Sequence, residues 1–309
     1  VEVDESALAS FQRFAGDDET RLAAIHRAAA SGADVAMTSR GGYGLTRILP
    51  GIQYKRVAKA IERGTKFVGL SDFTAFQLAV LAQTGAMTWA GPSLCEGFGA
   101  SDMADSADGH GQAGNGGPDE IMQACFNDMI LGQGEGTGWR QNKERSGDIA
   151  QTSAFHARRL SESAEYALHD AVLWGGNLAV LCSLLGTPYF PQVQGGVLFL
   201  EAVAEHPYRI ERMLTQLLHA GVLARQKAIL LGQFTEYKLV PHDKGFKLQS
   251  VINWLRSQLK IPVLTNLPFG HVATKVLLPV GAKTDLLVQG RDALLVWGHT
   301  DWNGSVTHR

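Results

Sequence analysis

Phe67-Val68-Gly69-Leu70-Ser71-Asp72-Phe73-Thr74 runs an apolar, strand-like segment straight into a helix-like one. A serine at such a junction presents its hydroxyl above the end of a sheet. The first helical amides and the helix dipole then stand ready for developing negative charge. A plainer reading stands beside this one. Serine before an acid is a common helix N-cap, and Gly-Leu-Ser-Asp-Phe lacks the second glycine of G-x-S-x-G. On this segment alone, nucleophile and cap both remain open.

Working outward, the surrounding chain alternates strand and helix signals. Asp17-Asp18-Glu19-Thr20 places acids before an apolar helical run, and Gly32 is its stop. Asp34-Val35-Ala36-Met37-Thr38 reads as a short buried strand. Phe67–Leu70 is the next strand, a helix runs from Asp72 towards Leu81, and Met87–Ala90 is a third strand. This βαβ rhythm implies a parallel sheet with functional groups outside the carboxyl ends of its strands. From about Gly97 to Pro118, Gly, Ser, Asp and Ala dominate, which reads as a loop or linker. The expected division is an N-terminal α/β domain over 1–118, a linker region over 119–165 with a helix around Asp119–Leu131, and a C-terminal domain over 166–309. In the last part, a helix near Asn177–Leu185, a strand ending at Glu201, a helix carrying Ile210, Met213, Leu214, Leu217 and Leu218 on one face, and strand Ala228–Gly232 are expected.

Bulk properties narrow the function classes. The 309 residues carry a net charge of −2, with no basic excess that would suit nucleic acid. No apolar run approaches the length of a membrane span. Cys95, Cys125 and Cys182 are odd in number and widely spaced, so neither a disulfide framework nor a zinc knuckle is expected, and a reducing compartment fits. The histidines form no metal-ligand motif, and no metal is expected.

Three further segments carry chemistry. Arg40-Gly41-Gly42-Tyr43-Gly44 follows a strand and lets backbone amides approach a ligand closely; it lacks the spacing of a P-loop. An oxyanion donor from Gly41 or Gly42, paired with the Asp72 amide, suits acyl transfer, and a plain tight turn is the alternative. Glu201 ends the apolar run Gly195-Gly196-Val197-Leu198-Phe199-Leu200, where a carboxylate either orients an imidazole or meets solvent. His271 follows Pro268-Phe269-Gly270, a turn suited to aiming a side chain, although a lone loop histidine is often a surface residue. Serine, carboxylate, histidine is the chain order of one class of triad hydrolases.

Together these segments, with Arg47, Gly91-Pro92, Leu173-Trp174-Gly175-Gly176-Asn177-Leu178, His206-Pro207-Tyr208-Arg209 and Phe269-Gly270-His271, resemble the LD-carboxypeptidases of serine peptidase family S66. The resemblance implies a flavodoxin-like N-terminal domain with a parallel sheet, a smaller β-rich C-terminal domain and an active site between them. It implies Ser71 as nucleophile, His271 as general base and acid, and Glu201 as the carboxylate orienting His271. The implied activity is release of terminal D-alanine from murein tetrapeptides in the cytoplasm during cell-wall recycling, by a homodimer that needs no cofactor. Two departures stand out: the family's first strand and helix do not precede this sequence, so an incomplete record of the folded protein is expected, and position 202 is alanine where an acid is common. Arg40 is a candidate for the substrate carboxylate, with a buried structural role beside the tight turn as the alternative. Trp174 and Asn177 are candidates for lining the cleft, with core packing and backbone bonding as theirs. The rival functions are a microcin-immunity-type peptidase acting on a peptidyl-nucleotide and a non-catalytic muropeptide-binding protein.

Overall fold

Three short apolar strands, β1 (Val35–Met37), β2 (Lys66–Gly69) and β3 (Thr88–Ala90), pair in parallel in that order. Helices Leu45–Ile48 and Tyr54–Glu62 connect the first two, and helix Thr74–Thr84 connects the second pair. Helix Asp18–Ser31 begins where the acids predict: the Asp17 carboxylate accepts from the Thr20 N–H at 2.8 Å, and Gly32 ends it. The computed structural model describes residues 1–99, 117–143 and 165–298. Residues 100–116 of the glycine- and serine-rich stretch lie outside the described residues.

The second sheet has the order β4-β11-β10-β5-β6-β7-β8. It comprises β4 (Gly136–Arg140), β5 (Glu165–Asn177), β6 (Val197–Val203), β7 (Ala228–Thr235), β8 (Val263–Leu264), β10 (Lys283–Gln289) and β11 (Asp292–Val296). From β5 to β8 the strands are parallel, crossed over by helices Leu178–Ser183, Pro207–His219 and Leu248–Gln258. From β4 to β5 they are antiparallel. A strand thus lies inside the 119–165 region, after helix Glu120–Leu131.

Strand periodicity explains the continuous apolar runs. On β6, Leu198, Leu200 and Ala202 face a core shared with the helices, whereas Val197 and Phe199 face a second core that includes Val68, Trp89, Leu230 and Phe269. A strand covered on both faces must be apolar at every position. Burying a side chain such as Phe199 contributes about 1.5–3 kcal/mol. Helix Pro207–His219 buries Ile210, Leu214 and Leu217 on the expected face.

One strand ties the halves together. β9 (Leu278–Val280), from late in the chain, pairs antiparallel with β3 and completes the first sheet as β1-β2-β3-β9. Pro279 is tolerated because β9 is an edge strand. The loop carrying His271 leads into this strand, so the second half of the chain completes the sheet that precedes Ser71. Among the described residues, no helix is long and apolar enough to cross a membrane.

Candidate active site

Ser71 follows β2 and has φ of +65°, in the left-handed region that non-glycine residues avoid at a cost of about 1–2 kcal/mol. It opens a tight turn, Ser71–Phe73, that leads into helix Thr74–Thr84. Neither the turn nor the helix has a side-chain capping bond at its start, so Ser71 is not the cap. The strained residue sits at the carboxyl end of a parallel strand, the geometry of a nucleophile elbow.

The glycine-rich turn lies directly against it. A Cβ on Gly41 would stand 2.7 Å from Ser71 Cβ and 3.0 Å from Ser71 Oγ, so only glycine permits this approach. Two groups clamp the turn. The Asp72 carboxylate accepts from the Leu45 N–H at 2.8 Å, while Arg21 Nη1 donates to the Gly44 carbonyl at 3.0 Å. Burial pushes the Asp72 carboxyl above its usual range despite the Leu45 amide and the Arg21 charge. The Asp72 N–H belongs to the first turn of the helix, where amides lack an intrahelical partner.

Glu201 and His271 meet. His271 Nδ1 lies 2.7 Å from Glu201 Oε2, and Glu201 is fully buried near the carboxyl end of β6. Its position coincides with an irregularity in the β6–β7 ladder: Leu200 pairs with Leu231 and Ala202 with Phe234, which leaves one extra residue on β7 opposite Glu201. Bulges of this kind re-aim neighbouring groups. Here the extra length lets β7 hold the histidine loop. A Cβ on Gly232 would meet the Phe269 carbonyl oxygen at 2.5 Å, and the Gln233 N–H donates to that oxygen at 2.8 Å.

Burial alone works to lower the His271 pKa. The Glu201 hydrogen bond and charge, with Glu96 adding to them, outweigh it and leave the imidazole above its ordinary value. Lys275 opposes that rise. It is itself buried, and burial holds its ammonium below the ordinary range against the pull of Glu96, Asp119 and Glu201.

The other sequence candidates separate. Trp174 does not reach the cleft: it is fully buried, donates from Nε1 to Gln226 Oε1 at 3.0 Å, and meets Phe190 edge-on. Asn177 is buried, and its side chain does two jobs at the end of β5. Its Oδ1 accepts from the Val180 N–H at 3.2 Å and caps helix Leu178–Ser183, while Nδ2 donates to Glu201 Oε1 at 2.9 Å. Both Glu201 oxygens are therefore bonded, and Ala202, nearly sealed from solvent, contributes no charge there. Arg40 is exposed at the start of the glycine turn.

Sequence reasoning did not pick out Lys275, the clamping carboxylate of Asp72, or Thr74, whose Oγ1 accepts from the Asn177 N–H at 3.0 Å. Lys275 had a signal: an ammonium directly before the apolar run Val276-Leu277-Leu278 is a charge that folding will bury. The Asp72 and Thr74 roles depend on contacts with residues distant in sequence and had none. Among the described residues, no group of three or more His, Cys, Asp or Glu side chains is placed to hold a metal ion.

Comparison with known proteins places the chain in a family. The LD-carboxypeptidase N-terminal domain model matches residues 1–91, and the LD-carboxypeptidase C-terminal domain model matches residues 170–286. The crystal structure of muramoyltetrapeptide carboxypeptidase from Oxalobacter formigenes superposes with a TM-score of 0.73 at 35% identity, covering 93% of this chain and 87% of that one. The murein tetrapeptide carboxypeptidase of Pseudomonas aeruginosa is 28% identical over 293 residues, 92% of this chain and 82% of that protein. The microcin C7 self-immunity protein MccF shares the fold, with a TM-score of 0.70 at 18% identity over 94% of this chain and 84% of that one. With both domain models matched in order and a relative of 35% identity aligned over most of its length, this chain belongs to the LD-carboxypeptidase family.

Proposed function

We propose that this protein is a serine carboxypeptidase that hydrolyses the L,D amide bond before the terminal D-alanine of murein tetrapeptides. His271 takes the Ser71 proton as the hydroxyl attacks the carbonyl, and Glu201 holds the imidazole in orientation and balances its charge. The Asp72 amide and an amide of the Gly41-Gly42 turn stabilise the oxyanion; one such donor is typically worth about 3–4 kcal/mol. His271 then protonates the departing amine. Water, deprotonated by the same imidazole, cleaves the acyl-enzyme and regenerates Ser71.

The observation that supports this reading most is the backbone of Ser71. A serine held at φ +65°, not used as a cap and pressed against a glycine turn is a strained arrangement that stability alone does not favour. The reading brings three further proposals with it: the peptides come from cell-wall recycling, the enzyme works in the cytoplasm, and it is a homodimer. The peptidyl-nucleotide alternative draws less support. Phe98, the one aromatic residue of the 97–118 stretch, is engaged edge-on with Phe126 at 4.9 Å.

Mass-spectrometric detection of D-alanine release from L-Ala-D-Glu-meso-diaminopimelate-D-Ala tests the reading, with Ser71→Ala as control. Release by the unaltered protein and none by the variant is expected. Release that survives Ser71→Ala sinks the nucleophile assignment. A folded protein that leaves the tetrapeptide intact but reacts with an active-site serine reagent points to another acyl substrate, and one that does neither is a binder.

A further inference from the structure

Lys275 is 2% exposed, yet among the described residues its ammonium takes part in no hydrogen bond and no ion pair. A buried cation without a bonded partner is costly, and it is retained where an anion arrives to meet it. The loop holding it is fixed. The Val276 N–H donates to the Pro268 carbonyl at 2.9 Å, closing the loop around His271, and Thr274 Oγ1 donates to Asp119 Oδ2 at 2.6 Å, pinning it to helix Glu120–Leu131. The ammonium lies within electrostatic reach of His271 and Glu201 as well as Glu96 and Asp119.

The chemistry of the leaving group says which anion belongs there. In the proposed reaction His271 gives its proton to the amine of the departing residue. The free carboxylate of that residue is attached to the same carbon as the amine, so it lies on the His271 side of the scissile bond. Arg40, at the start of the glycine turn, is exposed. We propose that Lys275 binds the free α-carboxylate of the residue being released and so restricts cleavage to the last bond of the peptide. This inference rests on the carboxypeptidase reading above and names the group that makes the site select a chain end.

Calorimetry on the Ser71→Ala protein tests it without turnover, using L-Ala-D-Glu-meso-diaminopimelate-D-Ala and the same peptide with a C-terminal carboxamide. The acid is expected to bind more tightly than the amide. Adding Lys275→Met should weaken the acid by about 30-fold or more, leave the amide unchanged and abolish the preference. Lys275→Arg should keep part of it. Equal weakening of both peptides by Lys275→Met would mean a structural lysine and overturn the proposal, as would a preference that survives the substitution. If the methionine variant does not fold, the Lys275 protein alone still decides: D-alanine must compete for the site better than D-alaninamide, and equal competition refutes the proposal. Failure of the parent reading looks different, since the unaltered protein would then release no D-alanine while the preference for the acid persists.

Discussion

Asn177 holds Glu201 from the neighbouring strand: its Nδ2 donates to Glu201 Oε1 at 2.9 Å, at the one register position where the ends of β5 and β6 face each other. The main-chain N–H of Asn177 donates in turn to Thr74 Oγ1 at 3.0 Å, three residues after Ser71. A continuous path of hydrogen bonds and covalent chain therefore runs from the Ser71 turn through Thr74, Asn177 and Glu201 to His271. The residues of the two halves are set by one frame.

Asn177→Ala should damage both stability and rate. It leaves Glu201 Oε1 buried without a donor, which costs about 1–3 kcal/mol, and it removes a helix cap worth about 1 kcal/mol. The urea midpoint should fall at unchanged slope, and kcat should drop about 100-fold as His271 loses its fixed orientation. An unaltered kcat would mean that His271 needs no such support.

Gly41→Ala should lower kcat by about 100-fold with little change in unfolding midpoint. The added methyl meets Ser71 rather than the core, so it displaces the proposed oxyanion turn from the proposed nucleophile. Steady-state kinetics and a thermal melt on the same preparation check this. A large loss of stability at preserved kcat would contradict it.

Ser71→Gly should be inactive and more stable than the unaltered protein. Glycine adopts φ of +65° without strain, and the gain, net of its extra freedom when unfolded, should be about 0.5–1 kcal/mol. Chemical denaturation measures it. A less stable glycine variant would show that the elbow stores no strain.

The pH dependence follows from His271. In the proposed mechanism only the neutral imidazole accepts the serine proton, so the acid limb of kcat/KM should lie above the ordinary imidazole value, in the direction of its raised pKa. Stability runs the other way: the contribution of protonated His271 is complete below the unfolded pKa and is lost as pH rises through the raised folded one. Glu96→Gln removes a charge that raises this pKa and should move the limb down, by less at high salt. Lys275→Met removes a charge that lowers it and should move the limb up. Limbs that stay together across these variants would assign the titration to another group.

Much of this site was legible in local patterns. The Asp17 cap, the apolar β6 run ending in Glu201 and the glycines around Arg40 each have a local cause, because capping, double-sided burial and close backbone approach act over a few residues. β4 was not legible. Gly136-Thr137-Gly138-Trp139-Arg140 has a mixed pattern, and it becomes a strand because β11 supplies its hydrogen-bond partners. For Trp174 the sequence left cleft lining and core packing both open. The alternation of β5 turns the ring into the core, where Gln226 satisfies its N–H.

By itself, the sequence determined which residue types stand at the strand ends: a serine at a strand-to-helix junction, a carboxylate closing an apolar run and a histidine after Pro-Phe-Gly. Only the tertiary structure decided that Glu201 meets His271, at 2.7 Å. That depended on the extra residue of β7 opposite Glu201, on β9 crossing to the first sheet, and on Asn177 reaching both halves. The physical reason is range. Propensity and burial periodicity act along the chain, whereas strand register and buried polar pairing join groups that only the closed fold brings together.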